Sequence, residues 1–189
     1  MYDLKVEILG DLERLSERGE IDLVYADAAR VSMSAVVPYG WQSADEDVFM
    51  PSTPGVGLNC FAFLTRTNRC RFATTRHSIT SQFVLEQVEH FSMGLAKLTV
   101  LVLDNAPVHT AKLIQARRAA WEKRGLFVLY LPRYSPHLNI VETLWRKLKY
   151  EWLAPKDYET TEGLCYTVRQ ALAAVGTRLY INFSPFSLN

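Results

Sequence analysis

Neither sign of charge dominates this sequence: 21 Lys and Arg stand against 20 Asp and Glu, for a formal charge of +1. A dedicated nucleic-acid binder is often far more basic, so the total argues against strong autonomous DNA binding and leaves only a local patch for that role. Cysteine is scarce too. Cys60, Cys70 and Cys165 are far apart, form no Cys-x-x-Cys pair and have no histidine at zinc-ligand spacing. Their odd number and separation fit small core residues in a reducing compartment. No apolar run approaches the ~18 residues of a membrane span. The N-terminus, MYDLKVEILGDLERL, carries acids early and is no signal peptide. Internal repeats and low-complexity stretches are missing as well. What remains is the expectation of a cytoplasmic protein without a membrane partner. Its 189 residues, 49% of them hydrophobic, are enough for one domain with its own core.

Hydrophobic spacing supplies the elements. Leu4, Val6, Leu9, Leu12 and Leu15 predict a short amphipathic helix over residues 4–18. Ile21–Asp27 reads as a buried strand ending on an acid. Val36-Val37, the turn-like Pro38–Trp41 and an acidic loop at Ser43–Asp47 follow. Two β-rich runs, Val56–Thr65 and Arg69–Thr75, flank a hairpin turn at Arg66–Asn68. Thr80–Phe91 has helical spacing, with Thr80 or Ser81 able to cap it. Leu98–Leu103 is the strongest strand, and its unbroken apolar run implies cover on both faces. It too ends on an acid, Asp104. After Asn105–Thr110 a helix is expected to about Arg124, stopped by Gly125, then a strand at Leu126–Leu131. Helices over Asn139–Leu153 and about Glu162–Val175 complete the chain. Early antiparallel strands followed by βαβ crossovers predict an α/β fold, a mixed central sheet with helices on its faces.

Two neighbouring strands ending on Asp27 and Asp104 bring like charges together, which is costly unless a cation sits between them. A lone strand-end aspartate is more often a cap or turn former. In Asn139–Leu153 the residues Val141, Leu144, Trp145, Leu148 and Trp152 form one apolar stripe. Glu142 falls at the flank of that stripe, about 100° from its middle, in the first turn. There it serves either as a third carboxylate over the sheet edge, or as a helix-dipole acid and i,i+4 partner of Arg146. His77 and His90 receive no role.

The words around these acids are more specific than the acids themselves. Leu101-Val102-Leu103-Asp104-Asn105-Ala106-Pro107-Val108-His109 resembles the second-aspartate block of the insertion-sequence 630/Tc1/mariner transposases. Leu131–Trp145 resembles their third block, Tyr-Ser-Pro-x-Leu-Asn-x-x-Glu-x-x-Trp, and Tyr25–Arg30 followed by Tyr39-Gly40-Trp41 is similar to the first. Asp104 and Glu142 are 38 positions apart, a spacing familiar in that superfamily. Ala28 stands where many relatives carry Glu, and Ile140 where many carry Pro; neither change replaces one of the three acids.

The resemblance implies an RNase H-like catalytic domain over residues 21–155, with 1–20 as a lead-in and 156–189 as a helix and tail completing the same domain. It implies a DDE transposase that cleaves DNA strands and transfers them, with Asp27, Asp104 and Glu142 holding two Mg²⁺ or Mn²⁺ ions. DNA, as transposon ends and target, is the implied substrate, acted on by a homodimer. Residues proposed to contact DNA are His109, Arg133, Tyr134, Ser135, Asn139, Arg146 and Lys149. Relatives also carry helix-turn-helix domains, for which the residues before the first strand are too few, so a separately encoded DNA-binding part is an expected partner. Two other readings stay open: an inactive remnant serving as a regulator or interaction module, and a stand-alone RNase H-like nuclease.

Overall fold

The computed structural model describes residues 2–33 and 56–186, so Val36–Val37, the turn at Pro38–Trp41 and the acidic loop at Ser43–Asp47 lie outside the described residues. Five strands, β1 (Asp22–Ser32), β2 (Gly57–Leu64), β3 (Cys70–Thr75), β4 (Thr99–Leu103) and β5 (Leu126–Tyr130), form one sheet ordered β3-β2-β1-β4-β5. The first three are antiparallel neighbours, whereas β1, β4 and β5 run parallel. Among the described residues six α-helices accompany them: α1 (Tyr2–Glu17), α2 (Ser81–Ser92), α3 (Pro107–Thr110), α4 (Lys112–Glu122), α5 (Val141–Lys147) and α6 (Thr161–Ala174).

Strand alternation splits the core into two layers. Leu23 and Tyr25 of β1, with Val100 and Val102 of β4, face Leu9 of α1, Leu144 and Trp145 of α5, and Val168 and Leu172 of α6. Val24, Ala26, Leu101 and Leu103 face the other way, onto Val84 and Val88 of α2 and Ile114 and Trp121 of α4. Helices therefore cover both faces, as the unbroken apolar run of β4 predicts. Thr80 caps α2, its hydroxyl accepting from the Phe83 N–H. In the β2–β3 turn, Asn68 adopts a φ of 61°, and its side-chain amide pairs with both the N–H and the C=O of Ile181.

Three elements differ from the sequence reading. β1 does not stop at Asp27 but runs to Ser32, because pairing with β2 continues to Ser32↔Gly57 after pairing with β4 has ended. The helix expected after Thr110 is two pieces. Pro107–Thr110 is already helical, and Ala111, with ψ 149°, breaks the chain before α4. The helix expected from Asn139 starts at Val141, behind a 3₁₀ turn at Pro136–Leu138, and widens into a π-type turn over Leu148–Trp152.

On the α2–α4 side, Glu89 accepts from Arg117, Trp121 and Arg124. The Arg117 hydrogen bonds, outweighing desolvation and helped by Arg124 and Trp121, hold its carboxyl down to about 2 from an ordinary 4.5. A depressed carboxyl contributes stability that is present above its unfolded value and lost as pH falls toward its folded one. Glu89→Gln is therefore expected to cost about 1–2 kcal/mol at pH 7. The gap should narrow between about pH 4.5 and 2, as read from urea denaturation at a series of pH values.

Candidate functional site

The parallel register sets the height of the first two acids. Tyr25 is level with Val102, so Asp27 and Asp104, each two residues further on, come level just where β4 has ended. Alternation puts Asp27 on the same face as Leu23 and Tyr25, the face that α5 covers. Glu142 enters from the first turn of α5. All three acids line one cleft of about 470 Å³, together with Asn105, Ala106, Pro107, Pro132–Pro136 and Asn139.

Each acid is held differently. Asp27 Oδ2 accepts from Trp145 Nε1–H at 3.2 Å. Burial, together with the charges of Glu142 and Asp104, pushes the Asp27 carboxyl up from 3.8 to about 6, against the Ala28 backbone N–H and His109. Asp104 Oδ1 accepts from the Ala106 N–H at 3.0 Å and from His109 Nδ1–H at 2.5 Å. Burial alone raises the Asp104 carboxyl, but these two hydrogen bonds and the His109 ring outweigh it and leave it below 3.8. Glu142 is exposed and, among the described residues, has no side-chain hydrogen bond or ion pair; the i,i+4 bridge to Arg146 is not formed. Also among the described residues, no three His, Cys, Asp or Glu side chains converge closely enough to hold one ion jointly.

The expected DNA contacts divide in two. Arg133 and Tyr134 are exposed at the mouth of the cleft, Tyr134 at 98% and with a φ of 58°. Arg146 and Lys149 line an adjoining groove that shares Pro136, Asn139 and Glu142 with the cleft. His109, Ser135 and Asn139, also expected at the DNA, are buried. Their side chains work inside the protein: His109 on Asp104, Ser135 on the Arg133 carbonyl. Asn139 donates to the Ala26 carbonyl at 3.2 Å and accepts from the Val141 N–H at 3.1 Å, tying the start of α5 to β1.

The apolar stripe of α5 marks Trp145 as core alone. It is core, 3% exposed, but its indole N–H also reaches Asp27. The available signal is that a buried tryptophan needs a partner for its N–H, and Glu142 lies three residues earlier on the same helix. Asn105 has a role that no spacing announces: its side-chain amide donates to the Leu131 carbonyl and links the exits of β4 and β5.

The fold has close counterparts in shape. The Mos1 strand transfer complex matches with a TM-score of 0.58 and 15% identity, over 92% of this chain and 54% of that one. The Mos1 mariner paired-end complex with Mn matches with a TM-score of 0.61 and 14% identity, over 92% and 55%. The catalytic core domain of BIV integrase matches with a TM-score of 0.51 and 18% identity, over 83% and 84%. At these identities the likeness is one of fold, which is RNase H-like, and the chain spans about half the length of the Mos1 chains. No curated protein matches the sequence. The family model for the DDE superfamily endonucleases matches residues 22–165, most of the chain and all three acids, and the protein belongs to that family.

Proposed function

We propose that the cleft performs metal-dependent phosphoryl transfer on DNA, cleaving a strand and joining a DNA 3′ end to a target, with Asp27, Asp104 and Glu142 as the ligands of two Mg²⁺ or Mn²⁺ ions. The observation that carries this reading is three carboxylates lining one cleft with no lysine or arginine paired to any of them among the described residues. Elsewhere in the molecule a partly buried acid such as Glu89 is met by two arginines. Here the negative charge is left for a cation to balance; burial first, and then the charges of Glu142 and Asp104, raise the Asp27 carboxyl. Divalent ions of this kind take one or two carboxylates plus waters and phosphate oxygens, so a site without a three-residue cage fits them. When bound, such a pair activates the attacking oxygen and stabilises the departing one.

Asp27 feels the charge of both Glu142 and Asp104, and would hold the ions together with them. Arg133 and Tyr134 at the mouth, and Arg146 and Lys149 in the adjoining groove, contact the DNA backbone. Among the described residues these cations form no ion pair, whereas Arg66, Arg69, Arg76 and Arg117 are spent on acids. A local patch thus exists on a chain of almost no net charge. The same reading includes transposon ends, such as the left end in a Mos1 paired-end complex, together with a second copy of the chain and a separately encoded helix-turn-helix part.

The direct test is nicking of a supercoiled plasmid with Mg²⁺, Mn²⁺ or EDTA. Nicking that needs either ion supports the reading, and nicking indifferent to EDTA overturns it. For the groove, the double variant Arg146→Ala, Lys149→Ala is expected to bind duplex DNA more weakly at any sequence. Its affinity should depend less on salt, the log–log slope falling by roughly 0.9 for each phosphate that is no longer neutralised. Fluorescence anisotropy over a salt series reads both, and an unchanged slope places the DNA elsewhere.

A further inference from the structure

Both cleft aspartates are gripped by an N–H from a buried ring, and the roles proposed above use neither ring. His109 is 1% exposed. An ionised carboxylate only accepts, so His109 Nδ1, 2.5 Å from Asp104 Oδ1, is the protonated nitrogen. The Ala106 N–H converges on the same oxygen, and among the described residues Asp104 Oδ2 has no hydrogen bond. His109 Nε2 is buried with no partner. An orphaned buried nitrogen costs about 1–3 kcal/mol, a penalty that an apolar residue in the same place avoids. Filling space is therefore a poor account of this histidine. It is held on two sides: the Tyr130 hydroxyl donates to the His109 carbonyl at 2.8 Å, and the Phe61 ring packs with its centroid 6.0 Å away. Trp145 repeats the pattern from the opposite layer of the core, donating its indole N–H to Asp27 Oδ2.

We propose that His109 and Trp145 are positioning residues, each fixing one oxygen of Asp104 or Asp27 so that the carboxylate meets a divalent cation already oriented. Unheld, a carboxylate rotates, and that freedom has to be given up when the ion arrives. Hydrogen-bond partners behind a metal ligand are typically worth ten- to a hundredfold in affinity. The proposal rests on the reading of the two aspartates as cation ligands.

The test is Mn²⁺ affinity of the DNA-free protein by isothermal titration, with Mg²⁺-dependent nicking as a second readout. Asparagine carries its amide N–H where histidine carries Nδ1, and glutamine reaches instead toward Nε2. Trp145→Phe deletes the N–H and keeps an aromatic ring in the core. His109→Gln and Trp145→Phe are expected to weaken Mn²⁺ binding by about tenfold or more, while His109→Asn stays within about threefold of wild type. Such rescue by the shorter amide is not expected of a merely structural histidine. Should His109→Gln fail to fold, Trp145→Phe decides alone. Wild-type affinity in both His109→Gln and Trp145→Phe, with binding lost in Asp104→Asn, overturns the positioning roles and leaves the ligand reading standing. Undiminished binding in Asp104→Asn, or none in the wild type, overturns the ligand reading and this proposal with it.

Discussion

Replacing Asp104 is expected to abolish Mg²⁺-dependent nicking, a loss of roughly 10³-fold or more, since a bound ion supplies several kcal/mol of transition-state stabilisation. The choice of replacement matters. Alanine also removes the acceptor for His109 Nδ1–H and the Ala106 N–H. One of those donors is buried, and its orphaning costs about 1–3 kcal/mol. Asparagine keeps an oxygen for both. Asp104→Ala and Asp104→Asn should therefore be equally inactive, while only the alanine variant melts lower. Plasmid nicking and thermal melts, run side by side, separate lost chemistry from lost structure. Activity retained by either variant contradicts the assignment.

Asp27→Asn is expected to act in two opposite directions. Activity should fall as far as with Asp104→Asn. Stability of the metal-free protein, however, should rise. The Asp27 carboxyl lies at about 6 in the folded protein against an ordinary 3.8, so the native state holds the proton more tightly than the unfolded chain. Its contribution to stability is complete below about pH 3.8 and is lost as pH climbs through about 6. At pH 7.5 the charged Asp27 thus penalises the fold by about 1–3 kcal/mol, which asparagine avoids while still accepting from Trp145. In EDTA the variant should melt a few degrees above wild type at pH 7.5, and level with it near pH 4. Added Mn²⁺ should close the gap by stabilising wild type alone. A difference that does not vary with pH would contradict the assigned origin of the shift.

Much of the sheet is legible in the sequence because its central strands advertise burial. Thr99–Leu103 has no polar face, and only cover on both sides explains that. The end of β1 is not legible. Local pattern marks an acid after an apolar run, but it carries no information on where a neighbouring strand stops and another takes over the pairing. The break at Ala111 is equally hidden, since alanine favours helix and nothing in its side chain announces an extended ψ. The three acids stand out because their surrounding words are specific. The partners of those acids do not, because histidine at a helix start and tryptophan on an apolar stripe look the same with or without a carboxylate behind them. Only the folded register brings Trp145 to Asp27 across more than a hundred residues of chain.

Asn139 joins helix to strand at one point, through a carbonyl on the residue just before Asp27. Mechanically it is a pin. The first turn of α5 cannot slide along the sheet without withdrawing it, so this amide, with the Trp145 indole one turn on, sets how Glu142 stands to Asp27. Glu142 itself is left loose at the end of that fixed arm. Two acids are clamped and the third hangs from a hinge point, which leaves side-chain rotation of one glutamate as the site's own means of adjusting to what it binds.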